Sequence, residues 1–544
     1  MMVDVVKKSD DTVVKKSDNM VVKKDDDKVV KKWFGTSGNM VIEGSMAHKS
    51  WEESKMMWNI AGAAILVSVT QFSIEFVTIA FVGHLGNLEL AAVSVVQNVL
   101  ECFVYGVMLG MGSALETLCG QAVGAGQVNM LGIYMQRSWI ITCITALILT
   151  PTYVFASPLL KFFRQSKDIS DLAGKYSVLI LPQLYAYAIN FPIQKFFQSQ
   201  SRVWVMTWIS ALVLPFHVLL NWILVTKLGY GLVGAAIAGN VSWWLIILAQ
   251  LIYIISGYFP DAWTGFSMLA FNSLAGFVKL SLASAIMLCQ HFGDSLELWY
   301  YTAVILLVGC LRNPSIAVDA VSICMNLQLW TLMVALGFNV AVSVRVSNEL
   351  GAREPKAVKF SVVMAVSTSV LFGIIFTTAI LATRNHFPKV FTDKPEVVRE
   401  TSKLGYVLAA TIFLNSIQPV LYGVAVGAGW QFQVAFINVG CYYIVGLPIG
   451  ALLGYKFNLG VQGIWSGMLT GCLLQTVILL VLLYRTNWQK EALHAEERIR
   501  TWGGPSQPHE HGRGEGAVMH DLGQDTEYNE KKDQSGAQNE LNGI

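Results

Sequence analysis

Few side chains in this sequence can carry a charge where their neighbours are apolar, and those few define the chemistry open to it. Glu75, Glu101 and Glu297 lie inside long runs of Val, Ile, Leu, Phe and Ala, as does His217, with His291 and Asp294 close to Glu297. A charged side chain at the centre of a membrane helix costs about 2.5–3.5 kcal/mol on insertion scales, so it is kept for function or neutralised by a neighbour. A carboxyl group at that depth can take up and release a proton, the chemistry of a coupling element in proton-driven exchange. The bland alternative is a carboxyl held neutral by a hydroxyl or backbone group beside it. Glu297 and Glu75 are the first candidates for proton coupling and Glu101 the next. His217, just after Pro215, reads as a packing or hydrogen-bonding residue.

A second set consists of amides deep in the same runs: Gln71, Asn98, Asn190, Gln194, Asn326, Gln328, Asn415 and Gln418. Trp299, Tyr300, Tyr301, Trp330 and Tyr422 stand beside some of them. A cleft lined with amides and aromatics suits flat, partly polar organic solutes. We take Gln71, Asn98, Trp299, Tyr300, Asn326, Asn415 and Gln418 as the candidate solute contacts. Against this stands interhelical hydrogen bonding, worth only about 0.6 kcal/mol per pair in membranes.

Other chemistries find no residues to carry them. There is no G-x-x-x-x-G-K-[ST] loop for a nucleotide, and no H-E-x-x-H, G-x-S-x-G or D-D-x-x-D. Asp25, Asp26 and Asp27 fall in a charged tail. The eight cysteines form no C-x-x-C and are scattered through apolar segments, so they read as small packing residues rather than a disulfide scaffold or zinc site. A net charge of +2 gives no reason to invoke nucleic acid. The expectation is a protein that is not an enzyme and carries no cofactor or metal.

The elements that hold these groups follow from composition. Of 544 residues 54% are hydrophobic and 14% charged, against about 25% charged in an ordinary soluble protein. Positions 56–484 hold only 20 basic and 15 acidic residues, about 8% of that stretch, which cannot make a soluble surface. Twelve apolar runs are long enough to span about 30 Å as helices. They lie near 57–82, 92–115, 138–160, 173–195, 203–226, 232–257, 277–308, 317–342, 358–382, 402–424, 432–454 and 461–484. They do not alternate in polarity, which excludes a barrel. The fold class is an all-α polytopic membrane protein. Pro182, Pro192, Pro215, Pro419 and Pro448 interrupt spans and are placed to bend them.

The second half repeats the first. Ala92-Val-Ser94 with Asn98 returns as Ala320-Val-Ser322 with Asn326, and Val123-Gly-Ala125 returns as Leu350-Gly-Ala352. Ile193-Gln194 returns as Ile417-Gln418, and Lys227, Gly231 and Gly234 return as Lys456, Gly460 and Gly463. Six spans per half give both halves one orientation, with a pseudo-twofold along the membrane normal and a site between them. The expected domains are a charged, disordered tail at 1–55, lobes at 56–258 and 259–484, and a polar, mostly disordered tail at 485–544 that opens with a short helix near 487–500. Val-Val-Lys-Lys recurs every eight residues in the first tail, a period that fits no helix. Lys and Arg near the spans divide almost evenly between the two sides, 14 to 12, so charge does not set the orientation. Long charged tails place the termini in the cytosol.

Four motifs identify a family by resemblance. Gly110-Met-Gly-Ser-Ala-Leu-Glu-Thr-Leu-Cys-Gly-Gln-Ala-Val-Gly-Ala-Gly-Gln127 and Phe81-Val-Gly-His-Leu-Gly86 closely resemble plant multidrug and toxic compound extrusion (MATE) transporters of the DETOXIFICATION type. So do Ser343-Val-Arg-Val-Ser-Asn-Glu-Leu-Gly-Ala352 and Gln418-Pro-Val-Leu-Tyr-Gly-Val-Ala-Val-Gly-Ala-Gly-Trp-Gln431. The resemblance covers about 45–500. It implies twelve helices in two pseudo-symmetric six-helix lobes and export or sequestration of organic solutes (flavonoid-like metabolites, alkaloids, xenobiotics) in exchange for protons. The protein would be a monomer in the vacuolar or plasma membrane. The family's acidic residue in the seventh helix falls on Glu297, its second acidic position in the tenth on Asn415, and the first-helix Asp of prokaryotic relatives on Thr78. Glu75, three residues before Thr78, lies on nearly the same face and could substitute. A gated anion channel or uniporter is the rival reading.

One departure sits beside Glu297. The family reads Met-Leu-Cys directly into Leu-Glu-x-Trp, whereas here Gln290-His-Phe-Gly-Asp-Ser295 intervenes between Cys289 and Leu296. The run at 277–308 would make about 48 Å of helix, well beyond a 30 Å core. Six residues also turn a helix by about 600°, so a bulge or break near Gly293 is expected. A non-transporting splice variant is the alternative this insertion raises.

Overall fold

The computed structural model describes residues 45–162, 165–271, 274, 314–392 and 394–502, and among these every regular element is helical. Lipid offers no partner to a backbone N–H or C=O, and a helix is the one open structure that satisfies both within a single segment. Helix α1 spans Met46–Gly83. Helix α2 begins as Asn87–Val95, passes through a π-helical turn at Val96–Glu101 and continues as Cys102–Gly124. Helix α3 (Leu131–Val154) is followed by a short α4 (Ala156–Phe162). Helices α5 (Lys167–Leu179) and α6 (Leu181–Ser199) cover the run expected at 173–195, broken at Ile180 just before Pro182. Helices α7 (Val203–Asn221) and α8 (Gly231–Tyr253) complete the first half.

In the second half come α9 (Pro314–Gly351), α10 (Pro355–Thr383) and α11 (Pro395–Ala428). Helix α12 (Gln431–Val439) is prolonged by π turns at Gly440–Gly446 and Leu452–Lys456 with Leu447–Ala451 between them. Helices α13 (Gly460–Arg485) and α14 (Trp488–Trp502) close the described chain. Among the described residues, ten segments are long and apolar enough to cross a membrane. The run expected at 277–308, with the 290–295 insertion, lies outside the described residues. Leu147, Ile148, Leu212, Ile252 and Ile444 stand exposed on the outer faces, as lipid contact requires. Pro192, Pro215 and Pro419 sit inside helices, and Pro448 follows a π turn.

The turns between helices carry the repeat more clearly than the sequence does. Left-handed backbone occurs at Gly126 (φ 74°) and Arg353 (φ 58°), at Ser201 (φ 57°) and Gly429 (φ 79°), and at Gly229 (φ 67°) and Asn458 (φ 53°). Each pair is separated by 227 to 229 residues, and each non-glycine has a glycine as its counterpart. The hydrogen bonds match as well. The Ser201 and Arg202 amides donate to Gln198 and Phe197 carbonyls, as Gly429 and Trp430 donate to Val426 and Ala425. Asn98 and Asn326 each donate to the carbonyl one turn back, at Ser94 (2.8 Å) and Ser322 (2.9 Å). This register corrects one sequence match. With Ser201 opposite Gly429 and unbroken helix before each, Gln418 stands opposite Asn190, not opposite Gln194. Four residues are about one helical turn, which keeps the same face and makes the false match look sound.

Successive spans alternate direction, so α1 starts, and α2, α6, α9 and α11 end, at the end of the bundle where α14 packs. There α2 and α9 meet back to back. A Cβ on Gly124 would fall 1.9 Å from the Asn348 carbonyl oxygen, and one on Gly351 would fall 2.1 Å from that of Gln121. Gly124 and Gly351 are repeat counterparts, and so are Gln121 and Asn348. The two contacts are therefore one contact seen twice, and the pseudo-twofold passes between α2 and α9.

Left-handed backbone costs a side-chain-bearing residue about 1–2 kcal/mol relative to glycine, partly offset by the entropy glycine adds to the unfolded chain. Ser201→Gly should accordingly stabilise the protein by about 0.5–1 kcal/mol. Gly429→Ser should destabilise it by about 1–2 kcal/mol or more, because its Cβ would also meet the Arg498 guanidinium. Thermal unfolding in detergent reads both.

Candidate functional site

In the first half, α1 carries Glu75 and the π turn of α2 carries Glu101. A π turn inserts a residue into the helix and changes which side chains face inward, and such turns collect at functional sites. Here Glu101 is buried, while Asn98, in the same turn, is exposed. The Glu75 carboxyl lies within reach of the Tyr187 hydroxyl of α6 and within electrostatic reach of Glu101. Tyr153 of α3 and Tyr176 of α5 are within reach of both carboxyls. Tyr187 is itself held by the Gln183 amide at 2.5 Å and by edge-on packing of Trp243, with ring centroids 4.8 Å apart. Tyr105 packs edge-on against Tyr187 and Phe191. Five spans thus converge on one carboxyl pair surrounded by phenols.

Polar residues extend the pocket along α1. One turn before Glu75, Gln71 Oε1 accepts from Gln194 at 3.4 Å, while the buried Gln71 Nε2 has no partner. One turn after it, Thr78 meets His217 Nε2 at 3.1 Å. His217 is completely buried, with Asn221 at 2.9 Å and Ser242 at 2.8 Å. Three neutral partners occupy the imidazole, which is the hydrogen-bonding role expected of it.

The second half holds a polar knot with no carboxylate among its described members. Gln418 Nε2 on α11 donates to Tyr442 Oη at 2.5 Å and to Gln475 Oε1 at 2.6 Å. Cys472 Sγ donates to Gln418 Oε1 at 3.0 Å and to Asn415 Oδ1 at 3.5 Å. The Gln475 amide donates in turn to Asn438. In the repeat register Asn415 stands opposite Tyr187 and Gln418 opposite Asn190. The two halves therefore place polar groups at the same positions and give them different chemistry.

Of the expected site residues, Glu75 and Gln71 share the first pocket, and Asn415 and Gln418 share the second. Asn98 and Asn326 belong to neither, because each is exposed and bonded to its own helix. Glu297, Trp299 and Tyr300 lie outside the described residues. Three buried or half-buried ion pairs were not expected. Lys195 Nζ of α6 meets Glu116 Oε2 of α2 at 2.6 Å with both side chains 8% exposed, and it also reaches Gln198 Oε1 at 3.1 Å. Arg345 of α9 pairs with Glu53 of α1 and with Glu349. Glu53 has a sequence signal, since it begins the stripe Glu53, Met57, Ile60, Ala64, Val67 that α1 buries at helical spacing.

Comparison with known proteins finds the same repeat and fold. The family model described as MatE matches residues 63–223 and again 291–452. The two matches start 228 residues apart, the interval at which the turns recur. Protein DETOXIFICATION 33 of Arabidopsis thaliana is 55% identical over 466 residues, 85% of this chain and 95% of its own. Protein DETOXIFICATION 30 of the same organism is 53% identical over 83% of this chain and 90% of its own. Among solved structures, the eukaryotic MATE transporter AtDTX14 is similar, with a TM-score of 0.76 and 32% identity over 83% of this chain and 99% of that one. The Vibrio cholerae MATE transporter VcmN in its bent form shares the fold at 18% identity, with a TM-score of 0.70 over 82% of this chain and 99% of that one.

Removing one partner of a buried ion pair costs about 3–5 kcal/mol, whereas replacing both with apolar residues is often neutral. Lys195→Met should therefore destabilise by about that much, and Lys195→Met with Glu116→Leu should recover most of it. Unfolding of the two variants in detergent checks the difference.

Proposed function

We propose, from the premise that this chain belongs to the MatE family and has the MATE transporter fold, that it exports or sequesters flat organic solutes in exchange for protons by alternating access. Flavonoid-like metabolites, alkaloids and xenobiotics are the solutes that fit. The observation that carries the proton half of this reading is the pair Glu75 and Glu101, within reach of one another and of the Tyr187 hydroxyl. Two carboxyls within reach of one another in a low-dielectric pocket, flanked by phenols and amides, form a site that can hold a proton and give it back. Glu297 is the corresponding candidate in the second half, by family resemblance. The unpartnered Gln71 Nε2 beside Glu75 supports a solute contact next to the proton site. A path lined by such carboxylates would repel anions, which disfavours the anion-channel reading.

In this mechanism solute enters between lobes at 56–258 and 259–484, protonation favours its release, and the lobes rock about the pseudo-twofold. The termini face the cytosol and the solute leaves it, across the vacuolar or the plasma membrane, with a monomer as the working unit.

Proteoliposomes with an imposed pH gradient test this, using a flavonol glycoside and a fluorescent organic cation as solutes. The full chain should accumulate solute and stop when a protonophore is added. Glu75→Gln and Glu101→Gln should each slow uptake about tenfold or more, as expected when a step loses 1.4 kcal/mol or more of driving interaction. Glu297→Gln and deletion of 290–295 complete the series. Uptake that survives the protonophore and is unchanged in Glu75→Gln and Glu297→Gln would overturn proton coupling in favour of a uniporter.

A further inference from the structure

The first and second halves touch at the end of the bundle where α1 begins, and the contacts there are polar as well as close. Thr117 Oγ1 of α2 donates to the Val426 carbonyl at 2.6 Å and accepts from Gln431 Nε2 at 2.8 Å. Gln121 Nε2 donates to the Gly427 carbonyl at 3.3 Å, and Asn348 Nδ2 to that of Ser199 at 3.4 Å. Most of this seam is built from small residues around the pseudo-twofold. One cluster is of another kind. Glu53 of α1 is 2% exposed, and each of its hydrogen-bond donors comes from the second half. Arg345 Nε and Nη2 reach its two oxygens at 2.9 Å each, in the parallel two-bond geometry that makes Arg–carboxylate pairs strong. Ser361 Oγ of α10 adds a third bond at 2.6 Å. Arg345 is held ready by Glu349, one turn along α9, at 2.6 Å.

This cluster does not follow from the duplication. In the repeat register Arg345 stands opposite Leu118 and Glu349 opposite Ala122, both apolar. A charged cluster has thus been added to one side of the seam, at a place where packing alone already closes it.

We propose that Glu53 and Arg345 are the latch that decides which face of the transporter is closed, holding shut the side on which the chain's termini lie. The inference rests on the alternating-access reading above. Its physical basis is that the pair is buried only while the seam is shut. Parting the halves lets water reach both charges, so opening costs only the net strength of the pair. Removing one charge leaves its partner buried and uncompensated in the closed state alone. Loss of Arg345 leaves two carboxylates facing each other, Glu53 and Glu349, and must weaken the closed state most. Loss of the Glu53 charge leaves Arg345 paired with Glu349 and must weaken it less. Arg345→Lys keeps the charge but loses the two-bond fork, so its effect is smallest.

Hydrogen exchange on the full chain in lipid nanodiscs, read by mass spectrometry, tests this without any solute. Arg345→Met should speed exchange at 50–58, 114–124, 340–351 and 423–431 by about tenfold or more. Glu53→Gln should do so by less and Arg345→Lys by least, with 460–485 unchanged in all three. The apolar triple variant Glu53→Leu, Arg345→Met, Glu349→Leu should return exchange to the original level or below it. Unchanged exchange in Arg345→Met would overturn the latch. So would an equal rise along the whole chain, or a triple variant as fast as the single one. Failure of the unmodified chain to transport in proteoliposomes would defeat the transport reading and leave this exchange result to stand or fall separately.

Discussion

The approach of α2 to α9 is the contact on which the relation between the two halves depends. Lipid tails are as apolar as leucine, so burying hydrocarbon gives two membrane helices little reason to associate. What remains is close packing and hydrogen bonding, and both require backbones near enough to touch. Gly124 against Asn348 and Gly351 against Gln121 meet that requirement with no side chain to spare. Nearby, Gly423 and Gly427 of α11 let α9 lie equally close, near the Asn339 and Ser343 carbonyls. A seam made from small residues and carbonyls has little interdigitation to undo. It can close and part as a surface, which the repacking of large side chains would resist.

Duplication explains where polar groups sit but not what they are. Tyr187 and Asn415 occupy one position in the two halves, and Asn190 and Gln418 another. In the first half these positions adjoin two carboxyls, and in the second they join amides, a thiol and a phenol in a hydrogen-bonded knot. The common frame supplies a buried, multi-helix pocket in each half. Divergence has given one pocket a pair of carboxyls and left the other, among the described residues, with groups that only donate and accept hydrogen bonds.

The sequence revealed the existence of the helices better than their ends, and the pockets better than the seam. Apolar runs locate helices because hydropathy reports contact with hydrocarbon. The helices continue past those runs, and the polar turns at their ends are where the halves meet. Glu53 fell before the run at 57–82, Glu116 just after that at 92–115, and Arg345 and Glu349 after that at 317–342, while Lys195 was the last residue of its run. Glu53 belongs to the tail expected to be disordered at 1–55 and the others lie at span ends or in loops, yet Glu53 is inside helix α1 and each of them is paired and largely buried. Asn98 and Asn326 show the converse. They lie deep in their runs but are exposed and bonded to their own helices, outside both pockets, since depth along a helix says nothing about which face a residue occupies. The π turn at Val96–Glu101 shifts that face, and it has no signature in the order of apolar residues. Glu75, with Gln71 and Thr78 one turn to either side, was legible because three polar residues at helical spacing mark a face directly.

The carboxyl pocket and the seam are not independent sites, because the same two helices build both. Helix α1 carries Glu75 in the pocket and Glu53 in the seam, 22 residues or about 33 Å apart along an unbroken helix. Helix α2 carries Glu101, the last residue of its π turn, in the pocket and Gly120 and Gly124 in the seam, joined by unbroken α-helix from Cys102 to Gly124. An α-helix transmits a tilt or rotation along its length, since its backbone hydrogen bonds resist local bending. The same two helices thus connect the carboxyl pocket to the face that meets Arg345 and Asn348 with no other element between. The second half joins them through α9, which carries Arg345, Asn348 and Gly351 on one stretch and packs along α11, the helix of Asn415 and Gln418. The physical path from the first pocket to the second therefore runs down one pair of helices, across the seam, and into the next pair.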